Sequence, residues 1–427
     1  MRLRTYFGVG ALFAGDAAAQ QWNGVEYDAI SVWPKPRNVT VPTSASDALG
    51  PFAVDAKHVD LTIDASCDQD RITALALEAI GGSGQVTSFR SPLRTYAEEA
   101  YVVADNATCA SRCLVDSDCG DSKQCYIRSD LRWSSTVACS PSSSAGLTAA
   151  CGCCVSTLPL KTIPAVSIDC SGKQDQDVGN VKLAEEAYTL TITANEVSIS
   201  AGGSKGAANA IATLAQTLRF DTDLQTMVAD VVPMSIEDSP AFEWRGVMLD
   251  TSRHFVPVSQ LMSIIDAMAA AKLNVFHWHI VDSPSFPMAS AAYPELSLEG
   301  SWSRSNDTIY SQNDIAAVVA HGTTRFVQVV VEVDTPAHTL AVARSYPEMM
   351  AGSGCWEWMA DSGFKVDVDS DDCMALDPTN PSAREMVQTL LTEVGESVGN
   401  NTAYIHIGGD EVKFVLSLLA TVTATPC

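Results

Sequence analysis

Residues 244–282 read WRGVMLDTSRHFVPVSQLMSIIDAMAAAKLNVFHWHIVD, and this stretch decides the fold. Val247-Met248-Leu249 is a short apolar run ending on Asp250. Leu261, Ile264, Ile265 and Met268 then recur at the spacing of one helix face, with Ser259 placed to cap that helix. Asn274 to Val281 is a second apolar run, and it ends on Asp282. Strand, helix and strand in that order predict a βαβ unit with parallel strands and a helix on the outside.

The pattern continues downstream. Ser311-Gln312-Asn313-Asp314 reads as a capping box before Ile315, Val318 and Val319, and Gly322 suits the end of that helix. Phe326 to Val333 is a third strand. Ala383 to Val398 is a third helix, with Val387, Leu390, Leu391 and Val394 inward, and Tyr404 to Ile407 is a fourth strand. The expected fold class is α/β, an incomplete (β/α)8 TIM barrel of about four βα units across 241–412. A whole barrel takes about 250 residues, more than this part of the chain supplies. Barrel chemistry sits at the C-terminal strand ends, and every expected strand here finishes in ionisable groups. They are Asp250 to His254, His277 to Asp282, Glu332 to His338, and Asp410-Glu411 behind Gly408-Gly409.

Upstream, 22–106 and 157–235 read as one α+β domain. Tyr188 to Thr193 alternates like a half-buried strand, Val197 to Ser200 is its hairpin partner, and Gly206 to Phe220 carries the helical set Ile211, Leu214, Ala215 and Leu218. The domain, taken as 20–240, is interrupted at about 107–156 by a Cys-rich insertion holding eight of the thirteen cysteines. With no apolar periodicity there, disulfides would have to hold that segment together; zinc at Cys151, Cys153 and Cys154 is the rival reading. Residues 1–19 have the basic, apolar and small-residue layout of a secretory signal peptide. Asn38, Asn106, Asn306 and Asn400 each begin a glycosylation sequon, so a secreted or lysosomal/vacuolar location is expected. A net charge of −25 without Lys/Arg clusters excludes nucleic-acid binding, and no later run is long enough for a transmembrane segment.

Four ordered motifs carry a resemblance. Arg245 to His254 is very similar to the first barrel strand of glycoside hydrolase family 20, the β-N-acetylhexosaminidases. Lys272 to His279 with Asp282 looks like the second strand, and Asp334-Thr335-Pro336-Ala337-His338 like the third, with Ala337 where the family usually has Gly. His406 to Glu411 matches the catalytic strand, and Trp33-Pro34-Lys35-Pro36 with Tyr188 to Phe220 resembles the N-terminal domain.

The resemblance implies retaining hydrolysis of terminal N-acetyl-β-hexosamine, in which the substrate's own acetamide attacks the anomeric carbon. By position in the motifs, Glu411 is the general acid and Asp410 orients the acetamide. Asp282 and His338 form a relay to the acid, and Arg253 grips sugar hydroxyls. The implied partners are N-acetylhexosamine-containing glycans. No cofactor and no metal is implied, and His277 and His279 are assigned to packing and support. Neighbouring strand residues face opposite ways, so Asp410 and Glu411 can share one sugar only if the backbone turns at Gly408-Gly409. The family pattern stops soon after Glu411, and 413–427 is an atypical apolar tail with no charge from Phe414 to Pro426. The chain alone is therefore expected to be C-terminally truncated and impaired, unless a homodimer closes the sheet. The alternative is a non-catalytic secreted carbohydrate-binding or interaction protein derived from the enzyme.

Overall fold

A computed structural model describes residues 32, 34–41, 52–81, 112–113, 123–126, 152–156, 161–171, 181–221, 226–229, 231–303, 306–351, 375–399 and 404–412. The expected signal peptide at 1–19, the sequons at Asn106 and Asn400, and the tail at 413–427 lie outside the described residues.

The chain begins with β1 (Asn38–Thr40), β2 (Phe52–Val54), β3 (Asp60–Ile63) and helix α1 (Gln69–Ala79). In the Cys-rich insertion come β4 (Arg112–Cys113), β5 (Lys123–Tyr126) and β6 (Gly152–Ser156), which pair antiparallel in the order β4-β6-β5. The first domain resumes with β7 (Ala165–Asp169), α2 (Val181–Glu185), β8 (Tyr188–Ile192), β9 (Glu196–Ala201) and α3 (Ser204–Thr217). It closes with β10 (Leu218–Asp221), β11 (Thr226–Ala229) and β12 (Met234–Asp238). Its main sheet runs β1-β12-β8-β9-β7-β3. β8 and β9 are the expected hairpin, with Tyr188, Leu190 and Ile192 buried against α3 in strict alternation.

The helix expected to run to Phe220 stops at Thr217. Leu218 takes extended dihedrals and opens β10, so its burial comes from a strand, and Ala215 is exposed. Apolar spacing alone cannot see that change, because Leu218 is buried in either conformation.

Cys67 at the foot of α1 is disulfide-bonded to Cys170 at the end of β7, a pairing that cysteine spacing did not single out. β3 and β7 are parallel neighbours, so the bond staples one end of that pair and brackets the whole insertion.

The second part begins with β13 (Gly246–Asp250), α4 (Val258–Ala270), β14 (Val275–Val281), α5 (Glu295–Gly300) and α6 (Gln312–Thr324). It continues with β15 (Gln328–Val333) and α7 (Pro381–Val398). β13, β14 and β15 pair in parallel in that order, as the βαβ reading requires. The expected fourth strand is present as a single parallel bridge, Glu332 to His406, with Val333 N–H bonded to the His406 carbonyl. Phe276, Trp278, Val329 and Val331 bury their side chains under α4, α6 and α7, whose contributions include Leu261, Ile265, Val318, Met386 and Leu390.

Two local expectations change. α4 starts at Val258 behind Pro257 with no side-chain cap, and Ser259 lies inside its first turn. Gly322 sits within α6: a Cβ there would lie 2.7 Å from the Val327 carbonyl oxygen, so its smallness serves helix-to-strand packing. The capping box at Ser311 and Asp314 forms as expected.

The first domain grips the N-terminal ends of the parallel strands. Lys272 is buried and donates to Tyr188 Oη (2.8 Å) and Asp238 (3.0 Å). Arg245 pairs with Glu186. Arg325 bonds Glu78 at 2.7 Å, and Arg71 lies 4.2 Å over the Phe326 ring. The opposite strand ends are thereby left open.

Because Cys67 and Cys170 are 103 residues apart, losing the bond frees a long loop in the unfolded chain. Replacing both by Ser is expected to lower stability by about 2–5 kcal/mol, read from chemical denaturation. An unchanged midpoint would show that the staple contributes nothing.

Candidate active site

Strand register builds the site. Asp250 stands opposite His279, His279 opposite Glu332, and Glu332 opposite His406. Four neighbouring strand segments thus present acid, histidine, acid, histidine at one level. Alternation on β14 sends Phe276, Trp278 and Ile280 into the core and turns His277 and His279 to the other face. On β15 the same rule buries Val329, Val331 and Val333 in the core and turns Glu332 beside His279.

The β14–β15 pairing slips between His279 and Val281. Ile280 and Val281 both join the core, so alternation breaks and Asp282 returns to the face that carries His279. A bulge beside a site commonly re-aims a side chain in this way. Asp282 is almost fully buried. Its Oδ2 takes His279 Nε2 at 2.8 Å and Arg253 Nη2 at 3.1 Å. Its Oδ1 accepts from the Ser283 N–H at 2.5 Å and meets His338 Nδ1 at 3.2 Å. The other ring nitrogen, His338 Nε2, lies 3.1 Å from Glu411 Oε2.

The turn expected before Asp410 and Glu411 is present. Gly408 (φ +65°) and Gly409 (φ +103°) bend the chain, and a Cβ on Gly408 would sit 1.7 Å from Asp334 Oδ1. The Gly409 N–H donates to that oxygen at 3.1 Å. Asp410 and Glu411 follow, both exposed. Glu411 (φ +53°) and His338 (φ +58°) occupy the left-handed region, which residues with a Cβ rarely enter. Such strain persists where the surroundings over-determine it, and it gathers at working sites.

Arg253 stands at the rim, about half exposed, its fork shared between Asp250 and Asp282. Asp250 Oδ1 also accepts the N–H groups of Ser252 and Arg253 at 3.0 and 2.9 Å, which fixes the loop that carries the guanidinium. Beside it Trp302 donates its Nε1–H to the Ser252 carbonyl at 2.6 Å and keeps an exposed face.

Electrostatics follow from this crowding. Burial pulls the His279 imidazole down, but hydrogen bonds to Asp282 and Glu332 outweigh it and lift the group to about 10. Burial raises Glu332, and His279 with the flanking histidines brings it down to about 2. Asp282 is held low against its own burial by His279 and the Arg253 charge. Asp334 goes the other way: burial raises it, and the Asp410 and Glu332 charges add to that against the Gly409 N–H and His338. His279 is thus a cation clamped between two buried carboxylates.

All five residues singled out by sequence lie on this wall. Asp282, His338 and Glu411 form a continuous chain, Arg253 touches Asp282, and Asp410 is next to Glu411 without a side-chain hydrogen bond among the described residues. Sequence reasoning assigned His279 to support and gave Glu332 no role. The available signal was period two: both sit on the opposite face from the apolar residues flanking them. His277, Glu332 and His406 are close enough to hold a metal ion, but Glu332 already pairs with His277 at 2.5 Å and with His406 at 2.9 Å.

Parallel βα units with a carboxyl–histidine–carboxyl chain at their C-terminal strand ends have the layout of a βα-barrel enzyme's catalytic face. Two family models match, "Glycosyl hydrolase family 20, catalytic domain" over residues 242–421 and "Glycosyl hydrolase family 20, domain 2" over residues 128–239. The chain belongs to glycosyl hydrolase family 20. It is 36% identical over 228 residues to a beta-hexosaminidase subunit beta of Entamoeba histolytica, covering 53% of this chain and 38% of that protein. It is 33% identical over 231 residues to the Homo sapiens beta-hexosaminidase subunit beta, covering 54% and 38%. The chain therefore spans about two fifths of the length of these curated relatives. A solved exo-β-N-acetylglucosaminidase from Vibrio harveyi, bound to N-acetylglucosamine, superposes with a TM-score of 0.58 at 21% identity, covering 93% of this chain and 50% of that one. These likenesses establish a TIM-barrel-like catalytic domain preceded by an N-terminal domain.

The clamp makes stability depend on pH. His279, lifted from 6.5 to about 10, contributes fully below pH 6.5 and loses that contribution as pH rises towards 10. Glu332, lowered from 4.5 to about 2, contributes fully above pH 4.5 and loses it as pH falls towards 2. The melting temperature is expected to peak between pH 4.5 and 6.5 and to fall on both sides. Glu332→Gln should lower the peak and flatten the acid limb. A wild-type profile rising steadily to pH 9 would contradict the clamp.

Proposed function

We propose that this protein works in retaining, substrate-assisted hydrolysis of terminal N-acetyl-β-hexosamine residues from glycoconjugates or chitooligosaccharides. The observation that carries the reading is the chain Asp282–His338–Glu411, with contacts of 3.2 and 3.1 Å, ending on an exposed carboxyl. Glu411 holds the proton that the leaving oxygen takes. A His338 whose Nδ1–H donates to Asp282 turns the Nε2 lone pair towards Glu411, where it can accept a hydrogen bond from the protonated carboxyl and orient it. Asp410 holds the N–H of the 2-acetamido group, whose oxygen attacks the anomeric carbon as the aglycone departs. Its negative charge stabilises the positive charge that develops on the acetamide. Water then opens the cyclic intermediate with Glu411 as base, which restores its proton and retains the configuration. Arg253 uses the exposed half of its fork on sugar hydroxyls.

The division into an N-terminal domain at 20–240 with its insertion and a barrel part at 241–412, of about four βα units, belongs to the same proposal. So does passage through the secretory pathway, supported by the Cys67–Cys170 disulfide and by Asn38, an exposed sequon residue on β1. Self-association as a homodimer is read out alongside, by light scattering of the purified protein.

Glu411→Gln is the test. On an N-acetyl-β-glucosaminide with a poor leaving group it is expected to lower kcat by about 10²–10⁴-fold, the usual span of general acid catalysis. Near-normal turnover by that variant would remove Glu411 from the role of acid. A wild-type protein that binds N-acetylglucosamine but cleaves nothing would favour a carbohydrate-binding role.

A further inference from the structure

The relay does not stop at Asp282. His279 Nε2 meets Asp282 Oδ2 at 2.8 Å, and His279 Nδ1 meets Glu332 Oε2 at 2.9 Å. Glu332 is in turn held by His277 at Oε2 and by His406 at Oε1 (2.9 Å). An unbroken line of acid and base groups therefore runs from the exposed Glu411 to a glutamate that is 5% exposed.

Resting on the glycosidase reading above, we propose that His279 and Glu332 are positioning residues for the acid: their ion pair aims Asp282 at His338 and so decides which His338 nitrogen carries the proton beside Glu411. A carboxylate can turn about its own axis and exchange its two oxygens. Asp282 is denied that freedom. His279 and Arg253 occupy Oδ2, which leaves Oδ1 for the Ser283 N–H and His338. His279 cannot swing away, because its second nitrogen is tied to Glu332 on the adjacent strand at the same level. When Glu411 carries the proton, the Asp282 oxygen aimed at Nδ1 keeps the His338 hydrogen there and leaves the Nε2 lone pair for Glu411.

Burial alone would leave the two rings free to take either tautomer. It is the double acceptance, by Asp282 on one side and Glu332 on the other, that requires His279 to carry a hydrogen on both nitrogens. The charged groups facing His279 are Asp282 and Glu332, with Asp250 on β13 and Asp334 beyond β15 close by. Those facing His338 are Asp282, Asp334 and Glu411. The line continues past the two residues of the expected relay to Glu332, on the strand next to His279.

The test compares the wild-type chain with His279→Leu and Glu332→Gln on two glycosides. One is an alkyl N-acetyl-β-glucosaminide, whose leaving group must be protonated; the other is the dinitrophenyl glycoside, whose leaving group departs without a proton. For the alkyl glycoside kcat is expected to fall about 10- to 100-fold, by analogy with the loss of an outer hydrogen-bond partner of a metal-ligating histidine. KM should hold, and the dinitrophenyl substrate should lose far less. Nitrogen-edited NMR of labelled protein should show His338 with its hydrogen on Nδ1 in the wild type and a mixture in the variants. Equal loss on both substrates from a folded variant would mark the pair as scaffold and overturn the inference, as would an unchanged His338 tautomer. If His279→Leu does not fold, the near-isosteric Glu332→Gln carries the same comparison. If the wild type cleaves neither glycoside, the glycosidase reading fails, and the tautomer measurement still decides the relay.

Discussion

The His279 cation between Asp282 and Glu332 is the interaction on which the rest of the site depends. Two carboxylates buried this deeply would each incur a desolvation penalty of several kcal/mol if left alone. One imidazolium with hydrogen bonds to both removes the need for either to take up a proton. Asp282 then stays an anion in a place where anions are otherwise unfavourable, and an anion there can hold and orient His338. Glu411, at the end of the line, inherits its setting from a residue two strand pairings and two intervening side chains away.

Backbone geometry serves the same end. The slip in pairing after His279 brings Asp282 back to the working face, and Gly408-Gly409 turns the chain so that Asp410 and Glu411 leave the strand together. His338 and Glu411, the two groups that meet at 3.1 Å, both sit in left-handed conformations. The strain is held in place by a firm frame. Asp334 accepts from the turn, and the apolar faces of β14 and β15 are packed under three helices. The first domain anchors that frame from the far side, where Lys272, Arg245 and Arg325 tie the N-terminal strand ends to its helices and sheet. Stability is concentrated at one end of the strands and chemistry at the other, the usual division in βα barrels.

Much of this was legible in the amino-acid sequence. Apolar runs of strand length alternating with helical periods dictate parallel βα units, since no other arrangement buries both patterns. The capping box at Ser311, the ionisable ends of each strand and the paired glycines before Asp410 are local signals, each with a local physical cause. Asp282, His338, Asp410, Glu411 and Arg253 could be chosen on that basis together with the family motifs. What the sequence left open were contacts between residues far apart in the chain. These include Cys67 with Cys170, Lys272 with Tyr188 and Asp238, and the row Asp250, His279, Glu332, His406. Those pairings depend on strand register and on how two domains dock, and neither leaves a period in the sequence. A histidine that alternation places on the inner face is, read from the chain alone, only a polar residue in a strand. Tertiary structure made His279 a cation, because it set two carboxylates from different strands within hydrogen-bonding distance of its two nitrogens.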